Sequence, residues 1–180
     1  MNVERLEKYL NDWGQEIVNE AQELLKAKKG NTKLGQSIRF KVMPDNDGFT
    51  TNFYMEDYGT FLDKGVSGNK NPISYSDGNK TKSSPYKYTT KGPPIDILSK
   101  WIKRKGIEPK GFGRGRSKDT GQYISGFAYL ISRKIKREGI KSISFFSKPL
   151  GLGYKNLQKG LLEELKMDIQ SYLTTYYRPK

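Results

Sequence analysis

The chain of 180 residues contains no cysteine and no histidine. The lack of cysteine removes disulfides, thiol nucleophiles and thiolate zinc sites. The lack of histidine removes the commonest near-neutral acid/base and the commonest transition-metal ligand. Most familiar hydrolytic triads and zinc enzymes are therefore excluded. Because catalysis would have to rely on carboxylates, Lys, Tyr or Ser, we expect a binding or structural protein, not an enzyme, with no cofactor and no metal.

Long apolar runs are also missing. Apolar residues make up 34% of the chain, and no run approaches the roughly 20 apolar residues that a membrane span needs. The first residues, Met1 to Arg5, contain no signal-peptide core, so we expect a protein made and assembled on the cytoplasmic side, with no membrane partner. Aromatic residues make up 12%, which is too many for a disordered polyelectrolyte. The length suits a single domain spanning 1–180.

Positive charge is abundant but unevenly placed. The chain has 33 Lys and Arg against 19 Asp and Glu, a net charge of +14. Residues 1–65 are net −2 and residues 149–180 net +2, whereas residues 66–148 hold 19 basic and five acidic residues. A basic segment of this kind presents a local field to a polyanion, with nucleic acid the first candidate and an anionic membrane the second. A solvated surface with no fixed partner is the alternative.

Hydrophobic periodicity predicts the frame of the fold. Apolar residues at three- and four-residue steps predict an amphipathic helix over residues 3–26 that stops at Gly30, and a closing helix of about 20 residues that ends near Tyr176. Alternating residues on both sides of an Asp-Gly turn predict a β-hairpin near residues 37–55. The sequence therefore predicts an α+β fold, with a long N-terminal helix and a C-terminal helix packed on a small antiparallel hairpin sheet.

Residues 66–138 are predicted to form a basic loop-and-helix insertion within this domain. A long loop over 66–93 precedes a short helix that opens at Pro93-Pro94 and ends at Gly106, and a second helix covers Thr120 to Arg137. Between the helices, the stretch 109–118 combines glycines with cations but lacks the order of a phosphate-binding nucleotide loop. We predict that the contacts to nucleic acid or a partner protein come from this region: Lys103, Arg104, Lys105, Lys110, Arg114, Arg116 and Lys118.

Two short motifs flank this insertion. The first, Tyr-x-x-Phe-x-Asp-x-Gly, comprises Tyr58, Phe61, Asp63 and Gly65, and follows the predicted hairpin. The second, Phe-Phe-x-x-Pro-Leu, comprises Phe145, Phe146, Pro149 and Leu150, and introduces the last helix. In this order, the long helix, hairpin, motifs and last helix resemble the head-tail connector and tail-completion (neck) proteins of tailed bacteriophages. The resemblance covers residues 1–65 and 139–177.

The resemblance implies a virion structural protein without catalysis, assembled in the host cytoplasm. Members of such a family form homo-oligomeric rings around the DNA channel, so the implied partners are further copies of the chain, the portal or adjacent connector and tail proteins, and DNA bound without sequence preference. The predicted subunit interface is aromatic: Phe40, Phe53, Tyr58, Phe61, Phe145 and Phe146. The insertion departs from compact members of the family, which leaves open whether the ring is a neck connector or a tail terminator.

Two other classes of function remain open from the residues. One is a nucleic-acid-binding protein that is not part of a ring, with Tyr75, Tyr86, Tyr88 and Phe112 as stacking platforms among lysines. The other is a nuclease that holds magnesium through carboxylates. The acidic residues of the basic segment do not form a paired motif, which disfavours the nuclease.

Overall fold

The computed structural model describes residues 3–45, 48–107 and 122–176. Their helices and strands are α1 (Val3–Lys29), α2 (Lys33–Ser37), β1 (Arg39–Asp45), β2 (Gly48–Tyr54), α3 (Gly59–Lys64), β3 (Val66–Ser67), β4 (Ser74–Ser76), β5 (Thr81–Ser83), α4 (Ile95–Lys105), α5 (Gln122–Glu138), β6 (Gly139–Ile140) and α6 (Ser147–Tyr176). The chain divides into two compact units. The first comprises Met1–Asp63, Tyr75–Lys82 and Ile143–Lys180, and the second comprises Lys64–Ser74 and Ser83–Ser142.

The core of the first unit forms on α1. Apolar residues recur every three or four positions along this helix, so they share one face, and that face is buried. The helix ends at Gly30, whose φ of 72° and N–H bond to Lys26 O, at 2.8 Å, make a left-handed C-terminal cap. The buried apolar residues that meet on this face are Val18, Ala21, Leu25, Leu34, Ile38 and Phe145.

The long helices α1 and α6 pack closely because α6 carries glycines on the contact face. A Cβ at Gly153 would collide with Ile17, and a Cβ at Gly160 would collide with the Tyr9 ring. Trp13 Nε1 donates to the carbonyl of Gly153 at 3.0 Å. Burial, followed by the charges of nearby glutamates, raises the pKa of the Tyr9 phenol. The backbone of α6 therefore lies close to α1, and residues larger than glycine at positions 153 and 160 would prevent this approach.

The hairpin β1–β2 covers part of α1. Its register pairs Phe40 with Phe53 and closes at Asp45 opposite Gly48. The Phe53 ring lies edge-on to Trp13 at 5.7 Å and to Phe146 at 5.5 Å, both centroid distances. Alternation therefore places these aromatic rings on the face toward the helices. The turn residues 46–47 lie outside the described residues.

The second unit pairs two helices with short strands. Helices α4 and α5 pack against each other, with Ile102 and Ala128 buried. Helix α4 follows Pro94 and ends at Gly106, which has a φ of 60°. Strands β3 and β6 pair antiparallel, and a parallel bridge joins β3 to Lys87.

The predicted α+β fold is confirmed, including the packing of the two long helices and the hairpin. Two details differ from the prediction. The segment 66–93 contains the short strands β3, β4 and β5, where a long loop is predicted. Helix α6 has 30 residues, not about 20, because it begins at Ser147 and continues through Gly151 and Gly153. The single domain with an insertion at 66–138 stays a prediction.

Candidate functional site

The two motifs that flank the insertion meet in the first unit at Asp63. This carboxylate is 1% exposed. Its Oδ1 accepts the N–H groups of Phe146 at 2.8 Å and Ser147 at 3.0 Å, and its Oδ2 accepts the Ser147 hydroxyl. Because the first N–H groups of a helix have no partner within the helix, an acidic side chain here both satisfies them and matches the helix dipole. Asp63 thus fixes the start of α6 from a position 83 residues earlier in the chain.

The predicted interface aromatics fall into two groups in the first unit. Phe145 is fully buried, and Phe40, Phe53 and Phe146 are partly buried around the core of the chain itself. By contrast, Tyr58 is 51% exposed and Phe61 44% exposed. The surface that the structure offers to another molecule at this point therefore comes from Tyr58 and Phe61, in the first half of the first motif. The interface role of all six residues stays a prediction.

Helix α6 carries a second apolar face, turned away from α1. Large side chains here are half or more exposed: Leu162 at 61%, Ile169 at 58%, Tyr172 at 59% and Leu173 at 50%. Their spacing places them on one side of the helix, opposite Gly153 and Gly160. Exposed apolar patches of this kind are typical of contact surfaces between proteins.

A tight turn between β4 and β5 holds an ion pair. Lys82 Nζ lies 2.7 Å from Asp77 Oδ2, and the N–H groups of Asn79 and Lys80 donate to Asp77 Oδ1. The Lys82 ammonium, together with these N–H groups, lowers the pKa of Asp77 to about 2. The Asn79 side chain donates to the carbonyl of Gly151 at 3.0 Å. The turn is therefore attached to the first part of α6.

The two units differ in net charge. Among the described residues, the first unit holds 14 Lys and Arg and 14 Asp and Glu, whereas the second holds 13 and two. The two acidic residues among the described residues of the second unit are Asp96 and Glu138. Glu138 pairs with Arg137 at 2.8 Å, and this contact lowers its pKa. The field of the second unit is therefore strongly positive.

Some of the cations of the second unit line a concave surface, which we name the basic cavity. It has a volume of about 940 Å³, and the described residues that line it include no carboxylate. Six of them are cationic: Lys70, Lys91, Arg133, Lys134, Lys136 and Arg137. Its apolar wall consists of Pro93, Pro94, Ile95, Tyr129 and Leu130.

Hydrogen bonds attach the walls of the basic cavity to α5. The buried hydroxyl of Ser132 donates to Pro93 O at 2.7 Å, and Lys136 Nζ donates to Thr90 O at 2.6 Å. Opposite these contacts, the N–H of Asn69 donates to Lys136 O at 2.9 Å and the N–H of Lys70 donates to Arg137 O at 3.2 Å. The cavity is thus part of the fold of the second unit.

Two glycines permit this arrangement: Gly92, which lines the cavity, and Gly68, which precedes the lining residue Asn69. A Cβ at Gly92 would lie 2.9 Å from Ser132 Oγ, and a Cβ at Gly68 would collide with the backbone of Arg137. Both segments therefore approach α5 more closely than a side chain would allow.

The predicted nucleic-acid contacts lie elsewhere or outside the described residues. Lys103, Arg104 and Lys105 are exposed in the last turn of α4, where cations also stabilise the helix dipole. They lie about 12 Å along the helix from its start at the cavity. Lys110, Arg114, Arg116 and Lys118 lie outside the described residues. Their role stays a prediction.

The tyrosines proposed as stacking platforms are half-buried. Tyr75, Tyr86 and Tyr88 are all of intermediate exposure, and burial raises the pKa of Tyr88. Phe112 lies outside the described residues. The half-buried rings offer less face to a base than a stacking platform does.

Sequence reasoning missed the basic cavity. Lys70 and Lys91 lie in the segment 66–93, for which the sequence predicts only a long loop, so no linear pattern links them to the cations of α5. One signal was available: Gly92 before Pro93-Pro94 marks a close approach of the backbone to another element.

Comparisons of the chain with protein-family models, with curated proteins and with solved structures found no match. Across residues 3–45, 48–107 and 122–176, no group of three or more acidic side chains is placed to hold a metal ion. Nor does any helix in this part of the chain combine the length and apolarity needed to cross a membrane.

Proposed function

We propose that this protein is a structural subunit of a tailed-bacteriophage virion, forming a homo-oligomeric head-to-tail connector, neck or tail-terminator ring around the DNA channel. The observation that carries the proposal is the junction at Asp63. Both motifs that resemble the phage proteins take part in it: Asp63 belongs to the first, and Phe146 belongs to the second. Two motifs that are far apart in the sequence thus contact each other in the fold, as expected of motifs that characterise a family.

The exposed apolar surfaces of the first unit support self-association. Tyr58 and Phe61 are exposed at the first motif, and Ile169 and Leu173 are exposed on α6. A ring subunit needs two different surfaces that bind each other in a head-to-tail manner. We propose that these two surfaces contact neighbouring copies, the portal, or adjacent connector and tail proteins.

The basic second unit supports a position beside DNA. Six or twelve copies in a ring would concentrate positive charge that passing DNA or an acidic partner must neutralise. Contacts to phosphates are independent of sequence, which a channel that conducts a whole genome requires. No catalytic step belongs to this role.

The mass of the purified protein in solution tests the ring. We expect an oligomer of defined mass by light scattering and closed rings by negative-stain imaging, with or without a portal-like protein. A monomer at all concentrations, with no ring and no binding to phage connector components, would contradict the proposal.

A second candidate is a sequence-independent nucleic-acid-binding protein that forms no ring. The basic cavity favours it, because the cavity lies within one unit of one chain. A monomer that binds DNA at low salt is the outcome that supports this candidate over the ring.

A further inference from the structure

We propose that the basic cavity of the second unit binds the phosphodiester backbone of DNA. The inference rests on the proposed function, because it assigns the DNA contact of the connector subunit to residues outside the region 103–118. The surface is defined by its lining cations and by the hydrogen bonds that attach its walls to α5.

The electrostatics of the cavity favour an anion. Six cations and no carboxylate lie among its described lining residues. A concave wall of one sign of charge concentrates the field and raises the local concentration of anionic ligands. The volume of about 940 Å³ is at the upper end for small-molecule sites, so it suits a segment of polymer.

Four of the six cations remain available to a ligand. Lys136 is engaged by Thr90 O, and Arg137 by Glu138. Among the described residues, no carboxylate forms an ion pair with Lys70, Lys91, Arg133 or Lys134. All four are exposed, so they reach a phosphate group without breaking an ion pair with a carboxylate.

The helix dipole of α5 does not prevent binding. The C-terminal carbonyls of a helix repel anions when they are unpaired. Here the carbonyls of Lys136 and Arg137 accept the N–H groups of Asn69 and Lys70. The negative end of the helix is thereby capped, and the cations dominate the local field.

The lining chemistry selects the backbone over the bases. The guanidinium of Arg133 lies 5.8 Å from the centroid of the Tyr129 ring, so this ring face is occupied and does not serve for base stacking. Proline and aliphatic residues form the remaining wall and suit the apolar side of a sugar. Lysine contacts of this type hold phosphates without reading sequence.

Binding of duplex DNA of arbitrary sequence, followed by fluorescence anisotropy across a range of salt concentrations, tests the inference. The test variant is K70Q/K91Q/K134Q. The matched control is K155Q/K159Q/K166Q, which removes three exposed lysines from α6 in the first unit and lowers the net charge equally. Thermal melting checks that both variants fold.

We expect the test variant to bind about tenfold or more weakly at low salt, with the control close to wild type. Each lost phosphate contact reduces the slope of log K against log salt by about 0.9, so the expected loss is about 2.7. Equal affinity and slope in the test variant and wild type would overturn the inference. Equal losses in test and control variants would overturn it too, because binding would then follow net charge alone.

Inorganic phosphate at matched ionic strength separates a DNA site from a free-anion site. We expect phosphate to compete no better than chloride, and much stronger competition would overturn the assignment to DNA. DNA binding is also measured on protein that has not assembled into rings, and the mass of each sample is recorded. Failure of DNA binding is therefore distinguishable from failure of ring formation.

Discussion

Asp63 shows how a single residue links distant parts of the sequence. It is buried, and it accepts hydrogen bonds from two N–H groups and one hydroxyl at the start of α6. A buried carboxylate is tolerated only when hydrogen bonds replace its hydration. The acidic position of the first motif is therefore explained by packing within the chain.

The change Asp63→Ala should lower the free energy of unfolding by about 3 kcal/mol. It removes an N-terminal cap and leaves buried donors without a partner. Urea denaturation followed by circular dichroism measures the loss. Ser147→Ala removes only the hydroxyl bond and should lower the stability by about 1 kcal/mol. Wild-type stability in Asp63→Ala would show that the cap is dispensable.

The ionisation of Asp77 makes the stability of the β4–β5 turn depend on pH. Its folded-state pKa of about 2 lies below the ordinary value of 3.8 because of Lys82 and the turn N–H groups. A group with a depressed folded pKa contributes stability above its unfolded pKa, and that contribution is lost as the pH falls through the folded pKa.

Asp77→Asn should therefore reduce the melting temperature at neutral pH, and the difference from wild type should shrink as the pH falls from 3.8 to about 2. Melting curves at several pH values measure the effect. Because Lys82 and Asp77 are partly solvated, added salt should also weaken it. A difference that stays constant down to the lowest pH would contradict the assigned ion pair.

Glycines determine how closely helix α6 packs against its neighbours. These residues lower intrinsic helix propensity, yet α6 runs through three of them. Gly153 and Gly160 face α1, whereas Gly151 faces the turn at Asp77. Tertiary packing therefore overrides local propensity in the first half of this helix.

Alanine at two helical glycines should change stability in opposite directions. A Cβ at Gly151 would collide with the backbone carbonyl of Asp77, whereas no atom of the described residues lies within 4 Å of a Cβ at Gly126 in α5. Gly151→Ala should thus lower stability by about 1–3 kcal/mol. Gly126→Ala should raise it by up to about 1 kcal/mol through helix propensity. Thermal unfolding measures both changes, and stabilisation by Gly151→Ala would contradict the close approach.

The elements with strong periodicity are the ones that the sequence predicts well. Helix α1, the hairpin and the ends of α4 at Pro94 and Gly106 all follow from local signals. The early start of α6 does not follow from local signals, because Gly151 and Gly153 are explained only by their contacts with other elements. The short strands of residues 66–83 do not either, since two- and three-residue pairings leave no periodic pattern.

At the scale of the whole molecule, the sequence predicts the uneven charge but not the cavity. Counting residues shows the excess at 66–148, and the described residues of the second unit carry it. The cavity brings together Lys70, Lys91 and Arg133, which are far apart in the chain. Only the hydrogen bonds between their segments place them side by side, and no linear motif encodes those bonds.

The double change Tyr58→Ser with Phe61→Ser should reduce the mass of the proposed oligomer and leave the subunit folded. Both side chains are exposed, so their loss removes apolar contact surface without opening the core. Light scattering measures the mass and circular dichroism the fold. Ile97→Ser, which alters a 59% exposed residue of α4, is the control. An oligomer of unchanged mass would exclude the first motif from the subunit interface.

The paired strands at the start and end of the second unit also affect how much sequence change the chain tolerates. Ile143 and Ser144 donate to the carbonyls of Leu62 and Asp63 in the first unit, and Val66 pairs with Ile140 in the second. The segments that lead into and out of the second unit are thus held together by backbone hydrogen bonds. Once a loop is closed in this way, doubling its length adds only about 0.6 kcal/mol of closure entropy. The chain should therefore tolerate changes in length between Val66 and Ile140 while the two long helices stay intact.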